Sequence, residues 1–296
     1  MHISDQQRVW HSNITNSAIF IFYVGWLLGG LTLRLNRSTG CLVAICGLVS
    51  CTDDTQWDHS TDLGETPIVA HTIESNQSAD FAAERQRMVR EQIGGPGDGR
   101  PPVRNSLVLK AMQTVERHKF VPPDMKEYAY QDSALRIGHG QTISQPYMVA
   151  VMTELAHPSR GHVVLEVGTG SGYQAAILAE IVEQVYTIEI VEPLGLNARD
   201  TLIQLGYDNI EVRIGDGYQG WEEKAPFDSI IVTAAPDHVP APLVEQLKIG
   251  GRLVIPVGPE GGIQELRVLQ KQSDGSVKET DVMSVRFVPL VGDHAQ

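Results

Sequence analysis

The chain has 296 residues, of which 42% are hydrophobic and 20% charged, enough for one large or two small globular domains with a full core. Its formal net charge of −13 at pH 7 argues against a nucleic-acid partner, because such partners usually need a basic surface. The 3 cysteines all lie between residues 41 and 51, and the 10 histidines show no H-x-x-x-H pairing. We therefore predict no metal site and no disulfide in the rest of the chain.

Residues 1–80 are predicted to be an apolar leader followed by an acidic, flexible linker. The uncharged run from Ala18 to Leu33 is shorter than the roughly 20 apolar residues of a membrane span. A second apolar run, Cys41 to Val49, follows two arginines and precedes Cys51, and this arrangement resembles a bacterial lipoprotein signal with Cys51 as the lipid-bearing residue. Translation beginning near Leu33 would fit that signal better. The alternative interpretation is an unstructured leader.

Residues 81–296 are predicted to be one folded domain that opens with a helical extension. A charged amphipathic helix is expected over residues 84–93, followed by a Gly- and Pro-rich break to residue 105. Ser106 is the expected cap of a second helix over Leu107–Val115. The low-charge stretch Leu135–Met148 is expected to be a loop, and a helix is expected over Tyr147–Leu155.

From residue 162 onward, predicted strands alternate with predicted helices. The expected strands are Val163–Val167, Val185–Ile190, Ile210–Ile214, Phe227–Thr233 and Gly250–Val257, and further helices are expected over Pro193–Leu205 and from Leu243 to Leu247. Two later strands, Glu265–Gln270 and Val282–Val288, flank a polar turn and are expected to form an antiparallel hairpin. This order predicts an α/β fold with a doubly wound, mostly parallel sheet and right-handed crossovers.

Three glycines, Gly168, Gly170 and Gly172, interrupt the chain between the first strand and the helix that follows it. Dinucleotide-binding folds usually show G-x-G-x-x-G, whereas this loop reads G-x-G-x-G with Glu166 two residues before it. The pattern resembles the first motif of class I S-adenosylmethionine-dependent methyltransferases, whose Rossmann-like fold wraps this loop around the methionine end of the cofactor. There, Glu166 can face the cofactor's ammonium or an ordered water. A phosphate-bearing cofactor is disfavoured, since the loop has no P-loop lysine.

Two more acidic residues follow predicted strands. Glu189 is at the end of the second strand, where a carboxylate accepts hydrogen bonds from ribose hydroxyls. Asp216 follows the third strand, where its side chain and the Gly217 backbone could reach an adenine amino group. A single acidic residue at such a place is often only a helix cap, but three beside one glycine loop favour an adenosine-type site.

A more specific resemblance comes from the stretch Gly138–Pro146, which reads Gly-His-Gly-Gln-Thr-Ile-Ser-Gln-Pro. Together with the glycine loop and several shorter stretches, it is similar to the protein-L-isoaspartate (D-aspartate) O-methyltransferase family. The similarity runs from about Arg85 to Gly292. The shorter stretches are Met88–Ile93, Phe120–Pro122, Thr233–Pro236 and Arg286–Leu290. The long leader and the Gly- and Pro-rich residues 94–105 depart from the family pattern.

The resemblance implies an enzyme that transfers a methyl group from S-adenosylmethionine to the carboxylate of L-isoaspartyl and D-aspartyl residues in damaged proteins, which initiates their repair. It implies that Ser144 is the active-site serine. The cofactor-binding residues are then Glu166, Gly168, Gly170, Gly172, Glu189, Asp216 and Gly217. The substrate-binding residues are Thr142, Ile143, Thr233, Ala234 and Val288. Isoaspartyl proteins and peptides are the expected partners of a monomeric enzyme.

The chemistry of the acceptor agrees with this set of residues. A carboxylate is already an anion at pH 7, so methyl transfer needs no strong base and depends on positioning and desolvation. Ser144, with Thr142 and nearby N–H groups, could orient that carboxylate. A nucleophilic serine is not expected, because the G-x-S-x-G elbow of hydrolases is absent. The alternative role for Ser144 is to cap the helix that begins near Pro146. Thr233 and Ala234 form either the floor of a substrate slot or ordinary close packing.

Two other functions remain open at this point. One is a class I methyltransferase that acts on a small-molecule carboxylate, and the other is a non-catalytic, envelope-anchored binding protein on the same scaffold. We expect the cytoplasm as the location, because S-adenosylmethionine is made there. The alternative is an envelope lipoprotein anchored through Cys51, the one case in which the chain would associate with a membrane.

Overall fold

The structure of the protein is a computed structural model that describes residues 80–95 and 99–292. The predicted leader and nearly all of the predicted linker, including Cys51, lie outside the described residues. Within the two described ranges, every helix is too short or too polar to cross a bilayer.

The N-terminal part of the described chain is mainly helical. Helix α1 covers residues 80–93, of which 80–87 are α-helical and Met88–Ile93 continue as a π-helix. The predicted helix over residues 84–93 is thereby confirmed, with an earlier start. The next elements are helix α2 (Ser106–Thr114), strands β1 (Leu135–Gly138) and β2 (Gln141–Ile143), and helix α3 (Pro146–Leu155).

A seven-stranded sheet forms the centre of the fold, with the strand order β5-β4-β3-β6-β7-β8-β9. The strands are β3 (Val163–Val167), β4 (Gln184–Glu189), β5 (Ile210–Ile214), β6 (Phe227–Val232), β7 (Leu247–Val257), β8 (Gln264–Lys271) and β9 (Val277–Val285), and the helices between them are α4 (Tyr173–Ala179), α5 (Glu192–Gln204) and α6 (Ala241–Glu245). The first five strands pair in parallel, and β8 and β9 are antiparallel. The predicted α/β class and the C-terminal hairpin are confirmed.

Strand β3 is the middle of the parallel part of the sheet. Four of its five residues are buried, because helices cover both faces of a parallel sheet. The chain leaves β3 toward β4 on one side and later returns to β6 on the other side. The order of strands therefore reverses between β3 and β6, and ligands of such sheets bind beyond the strand ends at this reversal.

Helix α2 is capped by Asn105 and not by Ser106, so that prediction was wrong by one residue. The Asn105 side chain accepts hydrogen bonds from the backbone N–H groups of Leu107, at 2.9 Å, and Val108, at 3.3 Å. Asn105 has an extended backbone, whereas Ser106 is already the first helical residue. Both residue types cap helices well, so the backbone alone decides between them.

Replacing Asn105 by alanine is expected to lower the free energy of unfolding by about 1 kcal/mol, because two N–H groups lose their acceptor. For a domain of this size, the melting temperature should fall by about 2–4 °C. Thermal unfolding followed by circular dichroism measures the change. Ser106→Ala in the same helix is the matched control and should have little effect, and equal losses in both variants would contradict this assignment of the cap.

Three other predictions were wrong for a common reason. In each case, pairing between strands determines where the element begins or ends. The predicted loop over Leu135–Met148 contains the antiparallel pair β1–β2, whose strands are short and pair only with each other. The predicted helix from Leu243 to Leu247 instead ends at Glu245, because Leu247 pairs with Phe227 and opens β7. The last strand was expected over Val282–Val288 and is found at Val277–Val285, since its polar residues pair along β8.

Candidate active site

The glycine loop between β3 and α4 is attached to the neighbouring strand β6. The Thr233 hydroxyl, just after β6, donates to the Gly168 carbonyl oxygen at 2.7 Å. Gly168 has a φ of +97°, and a Cβ added to it would lie 2.5 Å from the Thr233 hydroxyl oxygen. A side chain at this position would therefore be strained and would break the attachment of the loop.

Glu189 is fixed at the end of β4 by backbone N–H groups. One carboxylate oxygen accepts from Gly170 N at 2.8 Å and the other accepts from Val191 N at 2.9 Å. The residue is only 6% exposed. Each carboxylate oxygen has a second lone pair, so Glu189 can still accept hydrogen bonds from the hydroxyls of a ligand.

Glu166 lies within β3, one residue before the strand ends, and its side chain is fully buried. Its Oε2 accepts from the Thr187 hydroxyl at 2.6 Å, whereas Oε1 has no hydrogen-bond partner among the described residues. Burial raises the pKa of this carboxyl to about 8, although the Thr187 hydrogen bond opposes the change and nearby Glu189 adds to it. The structure thus places Glu166 inside β3 and not after it.

Glu166 shares a small pocket with a second unpaired acceptor, Gln174. The Gln174 amide nitrogen donates to the Thr153 hydroxyl, which itself donates to the Val149 carbonyl oxygen. Because Thr153 uses its only hydrogen on Val149, Gln174 must present its NH2 group there and its oxygen elsewhere. That oxygen is buried and has no partner within the described part of the chain. The pocket beside the glycine loop therefore offers the Gln174 oxygen as an acceptor, whereas the Glu166 carboxyl keeps its proton at neutral pH because its pKa is raised.

Asp216 and Gly217 follow β5, as predicted. The Asp216 side chain accepts from Tyr218 N at 2.9 Å and caps a short 3-10 helix. Gly217 packs against the end of β3, where an added Cβ would lie only 2.3 Å from Val167 Cγ1. Only a glycine lets the backbone approach β3 this closely.

These residues surround a first cleft at the carboxyl ends of β3, β4 and β6. The cleft encloses about 520 Å³ of space, including the part that is open to solvent. Of the predicted cofactor-binding residues, it is lined by Gly168, Gly170, Glu189 and Gly217. Glu166, Gly172 and Asp216 do not line it. Apolar residues complete the wall, among them Ile190, Leu290 and Val291.

A second, larger cleft adjoins the first and encloses about 1610 Å³, again including the part that is open to solvent. Its lining includes Ser144 and Tyr147, just after β2 and in α3, and residues 283–288, at and after the end of β9. Thr142, Thr233 and Val288 line both clefts, so the two meet at these predicted substrate residues. Of the remaining two, Ala234 lines the first cleft, and Ile143 lies mainly in the core and borders the small pocket.

Ser144 is half-buried directly after β2 and lines both the second cleft and the small pocket. Helix α3 has Gln145 at its N-cap position and no side-chain cap, so the interpretation of Ser144 as a helix cap was wrong. Among the described residues, the Ser144 hydroxyl makes no hydrogen bond. It is therefore available to a ligand in either space.

Several residues of the second cleft were not predicted from the sequence. Arg100 pairs with Asp132 and lies over the Tyr147 ring, with its Cζ atom 4.2 Å from the ring centroid. Arg286 lines the same cleft. Arg286 lies in a stretch that already suggested the family, but nothing in the sequence indicates that Arg100 and Asp132 meet. In the described part of the chain, no group of three His, Cys, Asp or Glu residues could hold a metal ion.

A glycine loop and a strand-end carboxylate, placed where a parallel sheet reverses its strand order, define the class I S-adenosylmethionine-dependent methyltransferase fold. The family model for protein-L-isoaspartate (D-aspartate) O-methyltransferase matches residues 101–295. The chain belongs to this family.

Named relatives agree with this result. Protein-L-isoaspartate O-methyltransferase 1 of Nitrosospira multiformis is 52% identical over 238 residues, covering 80% of this chain and 99% of that protein. Protein-L-isoaspartate O-methyltransferase of Picosynechococcus is 56% identical, and the match covers 72% of this chain and 95% of that protein. Among solved structures, a Plasmodium falciparum protein-L-isoaspartate O-methyltransferase in complex with S-adenosyl-L-homocysteine has a TM-score of 0.56 at 28% identity, and the match covers 63% of this chain and 91% of that one.

Proposed function

We propose that residues 81–296 form a methyltransferase domain that uses S-adenosylmethionine to methylate L-isoaspartyl and D-aspartyl residues of damaged proteins, which initiates repair. The observation that carries this proposal is the meeting of two clefts at Thr142 and Thr233. Glu189 lies on the donor side of this junction and Ser144 on the acceptor side.

The residues of the first cleft fit the methyl donor. S-adenosylmethionine supplies a methyl group that its positively charged sulfur activates for transfer. Gly168 and Gly217 keep the backbone free of side chains where a Cβ would collide with its neighbours. Glu189 would accept from the ribose hydroxyls, and the loop from Gly168 through Gly172 would hold the methionine end.

Two acidic residues complete the proposed donor site. The ammonium group of the donor would favour the ionised form of Glu166 and would donate to its unpaired oxygen, either directly or through a water. Asp216, beside the Gly217 backbone, is assigned to the adenine end. Its side chain is held by Tyr218 N, which fixes it in place.

The acceptor needs orientation more than activation. Its carboxylate is ionised at neutral pH, so no side chain has to remove a proton. The Ser144 hydroxyl would donate to one carboxylate oxygen and leave the other free to react, and Thr142 would support it. Val288, Ala234 and Ile143 would shape the apolar surroundings that exclude water from the reacting oxygen.

A methylation assay with synthetic peptides tests this function. With S-adenosylmethionine, the chain should form a base-labile methyl ester on a peptide that contains isoaspartate and none on the same peptide with normal aspartate. Glu189→Ala should reduce binding of the donor, measured by calorimetry. Preferential methylation of free carboxylic acids would favour the small-molecule alternative, and failure to bind the donor would favour the non-catalytic one.

We further assign the enzyme to the cytoplasm, because that compartment makes the methyl donor, and we keep the monomer as a separate proposal. Mass spectrometry of the mature N-terminus tests the location. An N-terminus at Met1 or near Leu33, with an unmodified Cys51, agrees with it, whereas a lipid-modified Cys51 would place the protein in the envelope. Light scattering of the purified chain tests the monomer.

A further inference from the structure

The charged residues that line the second cleft are Arg100, Asp132 and Arg286. Arg100 and Asp132 neutralise each other through a direct ion pair, and both are about three-quarters buried. The remaining charge at the cleft is the exposed guanidinium of Arg286.

Arg286 has no counter-ion among the described residues, although it follows a strand pair rich in acidic residues. Glu265 on β8 accepts from the Ser284 hydroxyl at 2.8 Å. Glu279 and Asp281 on β9 both contact Arg267, at 2.9 and 3.1 Å. None of these acidic groups pairs with Arg286, so its guanidinium can bind an anion that enters the cleft.

The backbone that carries Arg286 is held in place by the residues that follow it. Phe287 N donates to the side-chain oxygen of the buried Gln264 at 2.9 Å. The carbonyl oxygen of the following residue, Val288, accepts a hydrogen bond from Ala235 N at 2.8 Å. Val288 lines both clefts, so the charge projects from a fixed segment next to the place where donor and acceptor meet.

We propose that Arg286 determines substrate specificity by binding an acidic side chain, Asp or Glu, that flanks the isoaspartyl residue in the damaged chain. The proposal rests on the proposed function and names the sequence context that the enzyme favours. An exposed arginine suits a flanking group better than the reacting carboxylate, because a tight ion pair would lower the nucleophilicity of that carboxylate. The chain as a whole carries a net charge of −13, so a local positive charge is needed to attract an anionic segment.

Peptide pairs measure this preference directly. Four positions are tested, namely the two before and the two after the isoaspartate. At each position, one peptide carries a single Glu and its partner a single Lys, and one further peptide has neutral flanks. For the wild type, kcat/KM for the Glu peptide should be about tenfold higher than for the Lys peptide at the position that Arg286 contacts, mainly because KM is lower. Arg286→Gln should bring this ratio close to one, and Arg286→Glu should invert it. Arg286→Lys should keep the sign of the preference.

Arg160→Gln is the matched control. Arg160 is exposed in the turn before β3, at the end of the strand opposite to the site, and should leave every ratio unchanged. Raising the salt concentration should reduce the wild-type preference, because exposed charges are screened. The proposal is overturned if Arg286→Gln keeps the wild-type ratio at all four positions, or lowers kcat/KM for all peptides equally. If the wild type does not methylate even the peptide with neutral flanks, the result would instead count against the proposed function.

Discussion

Ser144→Ala is expected to lower kcat for methylation of an isoaspartyl peptide by about 100-fold, the usual loss when one preorganised hydrogen-bond donor is removed from a reacting oxygen. The Ser144 hydroxyl is half-buried, makes no hydrogen bond among the described residues, and lies where the second cleft meets the pocket beside the glycine loop. Because it orients the carboxylate and does not bind the rest of the peptide, KM should change by less than about threefold. Steady-state kinetics at saturating donor measure both quantities.

Two further variants separate this role from general disruption of the site. Ser144→Thr keeps the hydroxyl and should retain more activity than Ser144→Ala, whereas Ser106→Ala removes an exposed hydroxyl from α2 and should behave as the wild type. Affinity for the methyl donor should be similar in all three. If Ser144→Ala weakened donor binding as strongly as it lowered kcat, Ser144 would belong to the donor site and the assignment to the acceptor side would be wrong.

The parallel core could be predicted from the sequence because its strands are short apolar runs with turn residues at their ends. Strands β3 and β6 are buried on both faces, so their composition differs clearly from that of the helices. The edge strand β9 gave no such signal, since most of its residues are exposed and polar. Its position depends on pairing with β8, which is a tertiary interaction that local periodicity does not record.

The donor side of the site was predictable for a related reason. Gly168, Gly170 and Glu189 follow directly after strands, and parallel strands bring their carboxyl ends to one edge of the sheet. The acceptor side draws on distant parts of the chain. The pair Arg100–Asp132 spans 32 positions, and Ser144 and Thr233 line the same cleft only once the sheet has formed.

Glu166→Gln is expected to stabilise the protein at pH 8 by on the order of 3 kcal/mol relative to the wild type, with little effect at pH 5. Burial raises the pKa of the Glu166 carboxyl from its ordinary 4.5 to about 8 in the folded state. Between these two pH values the unfolded chain loses this proton and the folded chain keeps it. The wild type therefore loses stability as the pH rises from 4.5 to 8, and the loss levels off above 8. Glutamine has the shape of the neutral acid and does not titrate, so the variant avoids this loss.

Urea denaturation at pH 5 and pH 8, without the methyl donor, gives the free energies of unfolding for this comparison. Glu183→Gln makes the same chemical change at an exposed position before β4 and serves as the control, which should differ from the wild type by a similar small amount at both pH values. The amide oxygen introduced by Glu166→Gln can still accept from the Thr187 hydroxyl, so the variant should fold normally. A stability difference between Glu166→Gln and wild type that does not grow from pH 5 to pH 8 would mean that Glu166 is ionised in the folded protein, and its buried oxygen would then need a positively charged partner.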